Sequence, residues 1–180
     1  MPTYTYDEFI GKLDSEMEKE FGKDYLCRLG RFATEYDMQV QFIVFHDELD
    51  WANDRSELII VSLSFKEGYY SFSPQKYSLS EFKELIKSHS GGPVSIGSKG
   101  LIYGTSRLEC SLSKTDSLYP GDADLLLLNE DNKAVCILEF KKHTLASPVS
   151  EQCFTNYYPR PDGRKYKRLA LLRDYLASKS

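Results

Sequence analysis

The sequence has no apolar run approaching twenty residues, no C-x-x-C pair and no internal repeat or low-complexity tract. Each absence removes a class of protein. Without a long apolar run, no helix is expected to span a membrane. The opening residues, MPTYTYDEF, lack the basic and apolar regions of a secretory signal. The four cysteines, Cys27, Cys110, Cys136 and Cys153, are scattered, which argues against a zinc or iron–sulfur centre. Such cysteine usage points to a reducing, cytoplasmic setting. The stretch 91–100, GGPVSIGSKG, is rich in glycine but no G-K-[ST] follows, so it reads as a flexible connection rather than a phosphate-cradling loop.

What is present is an ordinary apolar fraction with 13 tyrosines and 10 phenylalanines, enough for a core in a chain of 180 residues. The net charge of −4 argues against nucleic-acid binding through the whole surface. The charge is uneven. Residues 1–90 carry 10 basic and 17 acidic side chains, and residues 91–180 carry 13 basic and 10 acidic ones. The glycine-rich stretch therefore suggests two parts: an N-terminal α+β region over 1–90, regulatory or completing a sheet, and a second core over 91–180.

Phe9, Ile10, Leu13, Met17 and Phe21 recur at helical spacing and predict a helix over residues 6–21, ended by Gly22. A short helical or irregular piece follows over 26–32. Residues 38–45 alternate as a strand, with Met38, Val40, Phe42 and Val44 on one face. Residues 57–65 read as another strand, paired with 69–73 across Lys66-Glu67-Gly68. Ser78-Leu79-Ser80-Glu81 resembles a capping box and opens a helix to about Lys87. His46, Asp47, Glu48 and Asp50 form an acidic loop cluster read as solvated, and Trp51 beside it reads as a packing anchor. Residues 101–112 read as a strand, bulged at Gly104.

The chemistry gathers between Tyr119 and Lys142, YPGDADLLLLNEDNKAVCILEFKK. Leu125–Leu128 and Ala134–Leu138 are short apolar runs joined by Asn129, Glu130, Asp131 and Asn132. Runs of this length bounded by turn formers suit paired strands buried on both faces. In an antiparallel pair the start of the first strand lies beside the end of the second. Asp122 and Asp124 sit just before the first strand; the turn therefore brings Asp124 near Glu139 and Lys141, and Glu139 and Lys141 share a face. Two convergent carboxylates suit Mg²⁺ or Mn²⁺, with substrate phosphate and water completing the shell. A lysine beside them suits steering of water or stabilisation of charge on a phosphate.

These residues resemble the signature of the PD-(D/E)xK nuclease superfamily, the restriction-endonuclease-like fold. There an Asp opens one strand and a (D/E)-x-K tripeptide, here Glu139-Phe140-Lys141, closes the next. Gly121-Asp122-Ala123-Asp124 is similar to the G-x-x-D of the RecB-like branch. Pro120 does not directly precede Asp124, and Gln152 is followed by Tyr157 one residue later than that branch's Q-x-x-x-Y element requires. The resemblance implies an α/β or α+β fold with a central mixed β-sheet flanked by helices, the restriction-endonuclease-like core lying in the C-terminal half. It implies a Mg²⁺- or Mn²⁺-dependent deoxyribonuclease in which Asp124, Glu139 and Lys141 are catalytic and Asp124 and Glu139 hold the metal. Asp122, Glu109 and Gln152 are the auxiliary residues. A nuclease-like module that binds nucleic acid or protein without cleaving is the alternative.

Beyond Lys141, His143 is either a general base or a residue that simply flanks the strand, and Ser150 is positioned to cap a helix to about Tyr158. The tail PRPDGRKYKRLALLRDYLASK gathers Arg160, Arg164, Lys165, Lys167 and Arg168, with Tyr157, Tyr158 and Tyr166 interleaved. That pattern suits phosphate contacts and base stacking on nucleic acid, DNA ahead of RNA. It equally suits the solvated start of a helix packed through Leu169, Leu172 and Leu176. The partner expected is nucleic acid and not a membrane; a homodimer or larger assembly is compatible with this reading. The family's further strand after this helix is not evident before Ser180, so either the N-terminal strands complete the sheet or the chain is part of a longer one.

Overall fold

The computed structural model describes residues 5–46, 51, 53, 55–90, 92–93, 106–117, 123–140, 148–156, 158 and 163–179. The chain forms two compact units, Met1–Pro120 and Gly121–Ser180. The division thus falls later than the glycine-rich stretch at 91–100.

The first unit is built on a three-stranded antiparallel sheet in the order β1-β2-β3: β1 is Val40–Val44, β2 Glu57–Lys66 and β3 Tyr69–Ser78. Leu58, Ile59, Ile60 and Val61 of β2 are all buried. Because successive side chains on a strand point to opposite faces, β2 feeds two cores. Ile59 and Val61 pack with Leu13, Met17 and Leu26 from helices α2 (Leu13–Phe21) and α3 (Lys23–Glu35), which follow the short α1 (Tyr6–Ile10). Leu58 and Ile60 pack on the other face with Trp51, with Leu79, Phe82 and Ile86 of α4 (Leu79–Ser90), and with Leu108 and Leu112 of α5 (Arg107–Leu112). Trp51 is the packing anchor its position suggests, 4% exposed.

Local chemistry sets the element ends. Ser78 and Glu81 form the expected capping box: Glu81 N–H donates to Ser78 Oγ (3.3 Å), and Ser78 N–H donates to Glu81 Oε2 (2.7 Å). Glu67 and Gly68 connect β2 and β3 with φ of 52° and 88°, the positive values that a two-residue hairpin turn requires. Gly30 lets α3 lie close on the sheet, since a Cβ there would stand 2.8 Å from Cβ of Phe65.

Several expectations are corrected. The helix over 6–21 is two helices, because Lys12 leaves the helical region (φ −122°, ψ 17°). The piece at 26–32 is the 13-residue α3. β3 runs past residue 73 to Ser78 and carries Pro74 opposite Val61, which an edge strand tolerates because its outward N–H is not needed for the ladder. Residues 107–112 are helical, not strand. Ser106 caps them by accepting from Glu109 N–H (3.1 Å), and Leu108 and Leu112, four apart, enter the first unit's core. Residues 101–105, and with them Gly104, lie outside the described residues, as do Asp47, Glu48 and Asp50.

The second unit holds the predicted hairpin, β4 Leu125–Leu128 and β5 Ala134–Leu138, as a two-stranded antiparallel sheet. Both sheets are antiparallel, so among the described residues the central mixed sheet is absent and the organisation is α+β. The hairpin is not buried on both faces either: Leu125, Leu127 and Val135 are 40%, 42% and 66% exposed. Residues 149–156 form two 3₁₀ turns, Val149–Glu151 and Phe154–Asn156, instead of a helix from Ser150. An α-helix would direct the Cys153 N–H to the carbonyl of Val149; it donates instead to Asn156 Oδ1 (2.7 Å), and Gln152 turns extended between the two. The final helix, α6, spans Gly163–Lys179, packs along β5 and buries Leu176. Among the described residues no helix is long and apolar enough to cross a membrane.

Candidate metal centre at the hairpin mouth

The turn of the hairpin is held by Asn129. Its backbone N–H donates to Lys133 O (2.9 Å), its Oδ1 accepts from Lys133 N–H (2.8 Å), and its carbonyl accepts from Asn132 N–H (3.0 Å). Asn132 takes φ 66°, which asparagine accepts more readily than most residues. A register shift between Leu127 and Leu128 absorbs one extra residue of β5 near this closed end. At the open end the register is regular, with Leu125 opposite Leu138 and Leu126 opposite Ile137. Continuing it by one pair sets Asp124 opposite Glu139, on the face that carries Leu126 and Ile137.

Hydrogen bonding fixes the first carboxylate. Phe140 N–H donates to Asp124 Oδ2 at 2.6 Å, closing the mouth of the hairpin beyond its last ladder pair. The other oxygen, Oδ1, faces Lys165 Nζ at 3.9 Å. The same ammonium lies 2.6 Å from Glu139 Oε2. One cation thus sits within ion-pair reach of both carboxylates, in a sheltered place: the side chains of Glu139, Lys165 and Asp124 are 10%, 20% and 27% exposed. Asp124 and Glu139 thus face the same ammonium at the hairpin mouth.

The sequence pattern groups Lys165 with the basic cluster as a phosphate contact; the structure places it at the carboxylates. It lies in the first turn of α6, more than twenty residues beyond Glu139, and no local pattern ties it to the hairpin. The only signal is its place next to Tyr166, which joins Phe154 and Tyr158 in an aromatic group (centroids 4.8 Å and 6.4 Å from Tyr166, Phe154 stacked on Tyr158 at 5.3 Å). That group ties the second 3₁₀ turn to the start of α6, the turn of helix from which Lys165 projects.

Of the remaining basic residues, Arg164 and Lys167 are exposed on α6 and Arg168 is half-buried beside them. Burial, and then the charge of Arg164 one turn away, hold the Arg168 guanidinium below its usual value. The cluster is a concentrated positive field at one end of the helix. Asp122, Lys141, His143, Tyr157 and Arg160 lie outside the described residues. Glu109 sits in the first turn of α5 in the first unit, and Gln152 lies between the two 3₁₀ turns rather than on a helix. Among the described residues no group of three or more His, Cys, Asp or Glu side chains is gathered for a metal ion. The donor set at the hairpin mouth is a pair of hard carboxylates around a cation. That suits Mg²⁺ or Mn²⁺, which is held by one or two carboxylates with the rest of its shell from water and phosphate.

No protein-family model matches the chain, no characterised protein matches its sequence and no solved structure matches its fold.

Proposed function

We propose that the second unit is a metal-dependent phosphodiesterase site of the PD-(D/E)xK kind, acting on nucleic acid, with DNA the expected substrate. The observation that carries the reading is the meeting of Asp124 and Glu139 on one cation at the mouth of a two-stranded hairpin. Asp124 and Glu139 would hold Mg²⁺ or Mn²⁺, which supplies Lewis-acid stabilisation of charge on the phosphodiester when bound. Asp124 contributes the oxygen not committed to Phe140 N–H. Lys141, two residues beyond Glu139, is the residue assigned to steering water or stabilising the phosphate, with Asp122 as auxiliary carboxylate. Arg164, Lys167 and Arg168 would draw the phosphate backbone toward the same end of α6. Phosphate contacts of this sort position a strand without reading its sequence.

The test is cleavage of labelled single- and double-stranded DNA and of RNA by the full chain in Mn²⁺ or Mg²⁺. Chelation should abolish cleavage, and Asp124→Asn and Glu139→Gln should each lower the rate at least about a hundredfold, the scale of losing a group that stabilises transition-state charge. Cleavage that survives both substitutions would sink the proposal.

A second reading is favoured by the short Lys165–Glu139 contact. If that ion pair is permanent, the unit is a nuclease-like module that binds nucleic acid or protein without cutting it. Salt-sensitive DNA binding with no cleavage in any divalent ion would select this reading.

A further inference from the structure

The inference rests on reading Asp124 and Glu139 as cation ligands, and concerns the side chain that lies between them. Two sheltered carboxylates that face one place repel each other unless a cation neutralises them. Among the described residues Lys165 supplies such a cation, 2.6 Å from Glu139 and 3.9 Å from Asp124. Its ammonium is a compact single charge on a flexible four-carbon stem. A divalent ion needs the same oxygens at about 2.0–2.1 Å if it is Mg²⁺, and brings a like charge to contact range of the ammonium. Lysine and metal therefore cannot share the place.

We propose that Lys165 is the positioning residue of the carboxylate pair: its ammonium is the resident counter-ion that keeps Asp124 and Glu139 facing one another, and a divalent cation enters by displacing it. The stem can carry the ammonium outward by rotamer change while α6 stays packed on β5. The lysine lowers the affinity of the site for divalent ions and prevents the empty pair from springing apart. Its amine also changes environment when metal binds, from a sheltered ion pair to a more accessible position.

The experiment uses the full chain and Mn²⁺ as the probe, with binding followed by electron paramagnetic resonance and folding checked by circular dichroism. Lys165→Met should bind Mn²⁺ at least tenfold more tightly than the natural protein, a gain of about 1.4 kcal/mol. Adding Glu139→Gln should remove the gain. Independently of any variant, reductive methylation of Lys165 in the natural protein, read by mass spectrometry, should accelerate several-fold when Mg²⁺ is added, while the exposed Lys167 is unchanged. Equal Mn²⁺ affinity with unchanged labelling would overturn the displacement and leave the carboxylates as a cation site. Weaker binding in Lys165→Met would also overturn it, making the lysine part of the metal-bound state. No Mn²⁺ uptake by either protein would remove the site itself, and the proposed function with it.

Discussion

In the first unit the central strand β2 has helices against both faces, and four consecutive residues, Leu58 to Val61, are buried. In the second unit α6 lies along β5, and Leu125, Leu127 and Val135 reach solvent. The two are made from similar apolar runs, so the difference lies in what the neighbouring elements cover. The first is held by packing. The second is held by a short ladder, the Asn129 turn and a sheltered arrangement of charges at its mouth. Substitutions in the two regions should therefore report different things.

The largest effect should come from the strand buried on both sides. Ile59→Ala should cost about 2–5 kcal/mol in urea unfolding followed by Trp51 fluorescence, whereas Leu127→Ala, followed by circular dichroism because Trp51 lies in the other unit, should cost under about 1 kcal/mol, since its side chain is already partly hydrated. Comparable losses at the two positions would break the contrast. Gly30→Ala probes the same packing from the helix side. The added Cβ would meet Cβ of Phe65 at 2.8 Å, and the overpacking should cost about 1–3 kcal/mol.

A smaller effect is expected at the cap of α4. Ser78→Ala removes the side-chain acceptor of the capping box and should lower stability by about 1 kcal/mol in the same unfolding experiment. No change would mean that the anchoring bond from Leu79 N–H to Ser56 O (2.7 Å) suffices at this helix start.

The hairpin mouth was legible in the sequence because its information is local. Two apolar runs, an Asn-rich turn and the acidic residues around them are enough to predict a register that sets Asp124 opposite Glu139. α5 was not legible as a helix, because Leu101 to Leu112 offers too few apolar positions to choose between periods. Only the Ser106 cap and the burial of Leu108 and Leu112 in another element's core decide it. The place of Lys165 at the carboxylates was not legible, for the related reason that it is set by how α6 lies along β5, a tertiary fact with no short-range pattern. The 3₁₀ turns at 149–156 were missed because one side chain, Asn156, captures an N–H that a helix would have used.

The smallest expected effect is a pH dependence read in the first unit. Backbone N–H donation from Thr5 holds Glu8 below the usual glutamate range, donation from Ser78 does the same for Glu81, and the Tyr70 hydroxyl does so for Glu18. A depressed folded pKa stabilises the fold at pH above the unfolded value of about 4.3, and that contribution is lost as pH falls through the lower folded values. The Trp51 transition should therefore move to lower urea between about pH 4.3 and the acid side of it. At the alkaline end, burial and then Glu18 push Tyr70 up to about 12, so Tyr70 should ionise late in an ultraviolet titration. Glu18→Gln should bring that step closer to the other tyrosines. An unmoved step would mean that burial alone sets it.

The edges of the three-stranded sheet carry a further consequence. A strand of ten residues lying outermost among the described residues, as β3 does, presents a row of backbone groups on which a strand of another molecule can grow. Pro74 interrupts that row near its middle by having no N–H to offer, and Lys76 follows two residues later. The opposite edge, β1, is only five residues long. Both edges are thus poor templates for intermolecular pairing, and Pro74→Val, harmless to the cores, should be read by light scattering as faster clouding of the protein on mild heating.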